Sequence, residues 1–129
     1  MARILIVDDS SLARRSTRKI LESAGHQVVE AEDGLRALER YYLEKPQIVL
    51  LDVTMREMDG IEVLKRIREL DPAARVVLVT ADVQNSTREL AEAGGACGFV
   101  AKPVLPKHLL EAVQGAIEPG RFGREASCN

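Results

Sequence analysis

The chain has 129 residues, 46% hydrophobic and 29% charged, which fits one globular domain with its own core. A formal net charge of −2, an aromatic content of 3% and the absence of Trp argue against a nucleic-acid partner, which calls for a basic surface or rings that stack on bases. The apolar run Ile4–Val7 is too short for a signal-peptide core or a membrane span, so no membrane insertion is expected.

Five short runs rich in β-branched residues alternate with helical patterns. RILIVD (3–8) reads as the first strand. Leu12, Ser16, Ile20 and Ala24 then recur at every fourth position and predict a helix stopped by Gly25. HQVVEA (26–31) is the second strand; Asp33-Gly34 opens a helical segment carrying Leu35 and Leu38 and closed by Pro46. QIVLLD (47–52) is the third strand, and Ile61, Leu64 and Ile67 recur at every third position before Asp71-Pro72. RVVLVT (75–80) is the fourth strand. Between Asp82 and Gly94 only Val83 and Leu90 are large and apolar, so the helix expected there has few core contacts and is a candidate mobile element. GFVA (98–101) is the fifth strand; Leu109, Val113 and Ile117 follow at every fourth position, after Pro106 in a first-turn position and before Pro119-Gly120. The remainder lacks periodicity, which divides the chain into a domain over 1–118 and an irregular tail over 119–129. Cys97 and Cys128 have no metal-ligand spacing and fit a reducing compartment without a disulfide framework, so a cytoplasmic protein is expected.

Strand–helix alternation repeated five times predicts the α/β class: a doubly wound, five-stranded parallel sheet with helices on both faces, a flavodoxin-like (βα)5 unit. Right-handed crossovers restrict the strand order, and of the common orders 2-1-3-4-5 suits five strands. Ligands in such sheets bind beyond the carboxyl ends of the strands where the order reverses, between strands 1 and 3. The groups that end the strands there are Asp8-Asp9, Asp52, Thr80 and Lys102-Pro103. Each has a plain reading alone: Asp8 or Asp9 as a helix cap, Thr80 as an ordinary strand residue, Lys102 as a solvated lysine. Together on one edge they make a site. Three clustered carboxylates need a counter-charge, and oxygen-only ligands favour a hard cation such as Mg²⁺. An Asp beside a Mg²⁺ site, a Thr hydroxyl and a Lys suits covalent phosphorylation of the carboxylate.

The motifs VDDS (7–10), EDGLRAL (32–38), LLDVTM with MDG (50–60), LVTA (78–81) and FVAKP (99–103), all in order, make the chain resemble a response-regulator receiver domain of the stand-alone, CheY-like kind. The resemblance implies Asp52 as phosphoacceptor, and Asp8, Asp9, Asp52 and the Thr54 backbone carbonyl as Mg²⁺ ligands, with Asp8 acting partly through water. It implies Thr80, the Ala81 backbone N–H and Lys102 as phosphoryl-binding groups, a cis Lys102-Pro103 bond, and Thr80 with Phe99 as the switch. Thr54 and Asp82 stand at positions that tune the phosphate lifetime. The partners implied are a histidine kinase or phosphotransfer domain and an output protein on the face formed by residues 82–117. Phe99 stands where the family often has Tyr, so its readout is by packing alone. Arg56 stands where the family usually has Pro, four residues after the acceptor; it is read as a solvated arginine or as positive charge near the phosphate. Arg14, Arg15, Arg18 and Lys19 on the first helix are read as a mostly solvated face or as a kinase-docking surface.

The function expected is a single-domain response regulator, not an enzyme beyond self-phosphorylation and self-dephosphorylation at Asp52. The alternative is a phosphate-independent docking module with the same fold. A Mg²⁺-dependent phosphatase with an Asp nucleophile is disfavoured, because such enzymes usually carry a second Asp two residues on, where Thr54 stands. A flavodoxin-like cofactor binder is disfavoured because DDSS places negative charge, and no glycine, where a phosphate would sit.

Overall fold

A computed structural model describes residues 2–53, 60–81 and 93–117. In chain order it contains β1 (Arg3–Val7), α1 (Ser11–Ser23), β2 (Gln27–Ala31), α2 (Gly34–Glu44), β3 (Ile48–Asp52), α3 (Gly60–Leu70), β4 (Val76–Thr80), β5 (Gly98–Ala101) and a last helix, Pro106–Ile117. The strands form one sheet in the order β2-β1-β3-β4-β5, with every pair parallel. This is the expected doubly wound, flavodoxin-like fold. The helix expected over 82–94 and the tail over 119–129 fall largely or wholly outside the described residues.

The unbroken apolar runs of β3 and β4 have a direct physical origin. Every residue of both strands is buried, because helices cover both faces of a parallel sheet. Side chains alternate between two cores. Leu5, Val7, Val49, Leu51, Val76 and Leu78 face α2 and α3; Ile4, Ile6, Ile48, Leu50, Val77 and Val79 face Leu21 of α1 and Leu109 and Val113 of the last helix.

Helix faces departed from expectation in two places. Leu12 is 74% exposed and Leu35 is 71% exposed, although both were placed on apolar stripes. A strict every-fourth repeat drifts about 40° per step on a helix of 3.6 residues per turn. Leu21, the residue that α1 buries, lies nine positions from Leu12 and so points the opposite way, which leaves Leu12 in solvent. In α2 the inward positions are Ala37 and Tyr41, and the Tyr41 hydroxyl donates to Asp71 Oδ2 at 2.7 Å, tying α2 to the end of α3. The stripes on α3 and the last helix held: Ile61, Leu64, Ile67, Leu109 and Val113 are all buried.

Helix starts are capped as their sequences suggest. Ser10 Oγ accepts from Ala13 N–H at 3.2 Å and Asp33 Oδ1 from Arg36 N–H at 2.8 Å. Gly25, with φ +90°, turns the chain after α1 in a conformation that favours glycine. Cys97, directly before β5, is buried at 2% exposure, and Cys128 lies outside the described residues. Among the described residues no helix is long and apolar enough to cross a membrane.

Candidate functional site

The parallel register brings the strand ends together. Val7 of β1 pairs with Leu51, Asp52 of β3 with Val79, and Thr80 of β4 with Ala101. Backbone hydrogen bonds carry that alignment past the strands: Asp8 N–H donates to the Ala31 carbonyl at 3.2 Å, Val53 N–H to Val79 at 3.1 Å, and Lys102 N–H to Thr80 at 2.8 Å. Asp8, Asp52, Thr80 and Lys102 thus reach one edge because each directly ends or follows a strand.

Asp8, Asp9 and Asp52 each offer a carboxylate oxygen within 4.8 Å of the others. Asp52 is 3% exposed and Asp8 is 7% exposed, whereas Asp9 faces solvent. Like charges about 4 Å apart repel by roughly 4 kcal/mol at an effective dielectric near 20, so the cluster needs compensation. Lys102 supplies part of it, with Nζ 3.3 Å from Asp52 Oδ2 and 3.5 Å from Asp8 Oδ2. Three carboxylates against one ammonium leave two formal negative charges, which one divalent cation would neutralise. The donor set is all oxygen and partly open to water through Asp9, which fits a hard cation.

Burial pushes the Asp8 pKa up, and the neighbouring Asp52 charge adds to it; the Ser10 N–H and Lys102 oppose the shift. For Lys102, burial alone would pull the ammonium down, but the charges of Asp8 and then Asp52 outweigh it and raise its pKa. Lys102 therefore stays an ammonium, while burial favours the neutral form of Asp8.

Thr80 is fully buried at the end of β4, and Ala81 follows it at the surface. Phe99 pairs with Leu78 and packs, half-buried, against the core that faces α2 and α3. Residues in register share a face, so Phe99 and Thr80 lie on the same side of the sheet. The Lys102–Pro103 peptide bond is cis. Thr54, Arg56 and Asp82 lie outside the described residues.

Two features were not anticipated from the sequence. A Cβ added to Gly60 would lie 2.5 Å from Val53 Cα and 2.7 Å from the Asp52 carbonyl oxygen. The first residue of α3 thus presses on the backbone that carries Asp52, which only glycine permits. The second is Arg14: its Nε donates to Glu30 Oε1 at 2.9 Å, and its Nη1 donates to the Asp8 backbone carbonyl. Arg18 also binds Glu30, and at 3.0 Å Glu22. Burial alone would raise the Glu30 pKa, but the hydrogen bonds from Arg18 and Arg14 bring it below the ordinary range. The basic cluster of α1 is therefore split: Arg14 and Arg18 are engaged within the fold, while Arg15 and Lys19 are exposed. A sequence signal existed only for proximity, since Arg14 sits one turn into the helix that follows the acid pair.

Comparison with known proteins agrees with this fold. The family described as "Response regulator receiver domain" matches residues 4–114. The chain is 43% identical over 112 residues to the chemotaxis protein CheY of Bacillus subtilis, covering 86% of this chain and 93% of that protein. Among solved structures, a LuxR-family two-component response regulator from Aurantimonas superposes with a TM-score of 0.88 at 36% identity, covering 95% and 88% of the two chains. The CheY chain of a CheX–CheY–BeF3–Mg complex from Borrelia burgdorferi superposes with a TM-score of 0.86 at 33% identity, covering 89% and 88%.

Proposed function

The chain belongs to the response regulator receiver domain family, and from that membership we propose that it is a phosphorylation-switched signalling domain with Asp52 as phosphoacceptor. The observation that carries this is the buried Asp52 carboxylate, set among two further Asp and 3.3 Å from the Lys102 ammonium. A buried carboxylate beside an ammonium is a competent nucleophile with little solvent to shed.

In the proposed reaction an Asp52 carboxylate oxygen attacks phosphorus of a phosphohistidine on a histidine kinase or phosphotransfer domain. The P–N bond breaks, its electron pair remains on the imidazole, and an acyl phosphate forms on Asp52. Asp8, Asp9 and Asp52, with the Thr54 backbone carbonyl, would hold Mg²⁺, which when bound neutralises charge on the phosphoryl oxygens. Lys102 pairs with the new phosphoryl group from the position it already holds against Asp52. The Thr80 hydroxyl and Ala81 N–H receive another phosphoryl oxygen. Drawn towards it, Thr80 vacates space on the face it shares with Phe99, and the ring turns inward. Residues 82–117 then present an altered surface to an output protein. Thr54 and Asp82 tune how quickly water returns Asp52 to its free form.

On this reading residues 1–118 are the receiver unit, the protein works in the cytoplasm, and it turns over no small-molecule substrate. The BeF3–Mg complex of the Borrelia CheY with CheX is consistent with a receiver that meets a partner in its liganded state.

The test is to add acetyl phosphate, or beryllofluoride, with and without Mg²⁺, to wild type and Asp52→Asn, following intact mass and amide spectra. A Mg²⁺-dependent phosphoryl adduct lost in Asp52→Asn, with shifts spreading through 82–117, supports the switch. A wild-type protein inert to both reagents would sink it and leave the docking-module reading.

A further inference from the structure

We propose that Arg14 is a positioning residue for the acid pair: clamped by Glu30, its guanidinium fixes the Asp8 backbone and so sets the geometry in which Asp8 and Asp9 bind Mg²⁺. The inference rests on the reading of this cluster as a Mg²⁺ site and adds a residue that the phosphorylation chemistry itself does not use.

The turn that carries Asp8 and Asp9 is held at three of Asp8's polar groups. Its N–H donates to the Ala31 carbonyl of β2 at 3.2 Å. Its Oδ1 accepts from Ser10 N–H at 2.9 Å. Its backbone carbonyl accepts from Arg14 Nη1. The first joins two backbone groups and the second has a backbone donor, so neither needs another residue's side chain; Lys102 holds only the remaining carboxylate oxygen, Oδ2. The third depends on one side chain.

That side chain is itself fixed. Arg14 leaves α1 in its second turn, is 14% exposed, and lays Nε against Glu30 Oε1 at 2.9 Å. Glu30 pairs in register with Ile6 of β1, on the strand that also supplies the Ala31 carbonyl. Arg18, one turn further along α1, binds the other Glu30 oxygen. Helix α1, edge strand β2 and the end of β1 thus meet through a single planar guanidinium, a fork suited to two acceptors at once. Partners that orient metal ligands in this way typically govern metal affinity by about 10–100-fold.

The sign of the effect separates positioning from simple charge. Arg14 is a cation touching a residue of the acidic cluster, so as a charge it opposes a second cation there. Removing it would then strengthen Mg²⁺ binding. A positioning role demands the opposite.

The experiment is calorimetric titration of Mg²⁺ into wild type, Arg14→Gln, Arg14→Lys and, as an exposed control on the same helix, Arg15→Gln, each checked for folding by melting and by the Ser10 amide resonance. We expect Arg14→Gln to weaken Mg²⁺ binding by roughly tenfold and to move the Ser10 amide. Arg14→Lys keeps the charge but loses the fork, and should fall in between; it also decides the matter if Arg14→Gln does not fold. Arg15→Gln should match wild type. Arg14→Gln binding Mg²⁺ as tightly as wild type or tighter, or Arg14→Lys unchanged where Arg14→Gln is lost, overturns the proposal while leaving the Mg²⁺ site intact. A wild-type protein that binds no Mg²⁺ overturns both.

Discussion

The Lys102 ammonium lies 3.3 Å from Asp52 Oδ2, although 50 residues separate them. The proximity is set by backbone: β3 and β4 are paired, β4 and β5 are paired, and Lys102 N–H continues the ladder to the Thr80 carbonyl. One side chain from the last strand is thereby committed to a carboxylate on the central one. The same ammonium also reaches Asp8, so one cation restrains two acids on different strands.

Lys102→Ala should therefore destabilise the metal-free protein, by about 1 kcal/mol because the ammonium still reaches solvent. Added Mg²⁺ should recover most of the loss, since a cation can replace the missing charge. Urea unfolding with EDTA and with Mg²⁺ measures both. An equal deficit in the two conditions would mean that Lys102 acts through packing.

Asp8→Asn should stabilise the metal-free protein at neutral pH. Burial, with the Asp52 charge added, raises the Asp8 pKa in the fold, so the native state prefers the protonated acid. That contribution is fully present below the unfolded value, about pH 4, and is lost as pH rises through the folded pKa. Asn mimics the neutral form, so the gain should appear at pH 7 and close towards pH 4. Melting temperatures across this range in EDTA check the sign.

Gly60→Ala should cost roughly 1–3 kcal/mol, the usual range for overpacking a site that cannot relax. The new methyl would meet backbone atoms of Val53 and Asp52, not flexible side-chain ends. Chemical denaturation gives the stability, and acetyl phosphate labelling reports whether the Asp52 backbone has shifted. Wild-type values for both would show that α3 can back away.

Thr80→Val keeps the side-chain shape in a fully buried position but deletes the hydroxyl, and should fold with a loss of about 1 kcal/mol. With beryllofluoride and Mg²⁺ it should still respond around Asp52 but fail to move the Phe99 ring. Aromatic-resonance spectra of wild type and variant decide this. A Phe99 shift preserved in Thr80→Val would take Thr80 out of the switch.

The sheet was legible because its code is local. Continuous apolar runs such as Ile48–Leu51 and Val76–Val79 have no stable place except a strand covered on both faces, and alternation with helices dictates parallel pairing. The site was legible for a related reason: in a parallel sheet, residues that end strands are neighbours, so Asp8, Asp52, Thr80 and Lys102 could be placed together from order alone. Less legible were the helix faces. Leu12 and Leu35 misled because small changes of phase rotate a side chain from core to solvent, and neighbours decide the phase.

What the sequence alone determined, then, was the class and the identity of the charged edge, which follow from periodicity and from where polar residues interrupt it; the strand order came from the few orders that doubly wound sheets adopt. Only the tertiary structure decided how those charges are held. It engaged Arg14 and Arg18 with Glu30, set Lys102 between Asp8 and Asp52, and pressed Gly60 against the backbone behind Asp52. The physical reason is one of range and direction. A strand's burial depends on its own residues, but a hydrogen bond from Arg14 to the Asp8 carbonyl depends on helix phase, strand register and rotamer all at once.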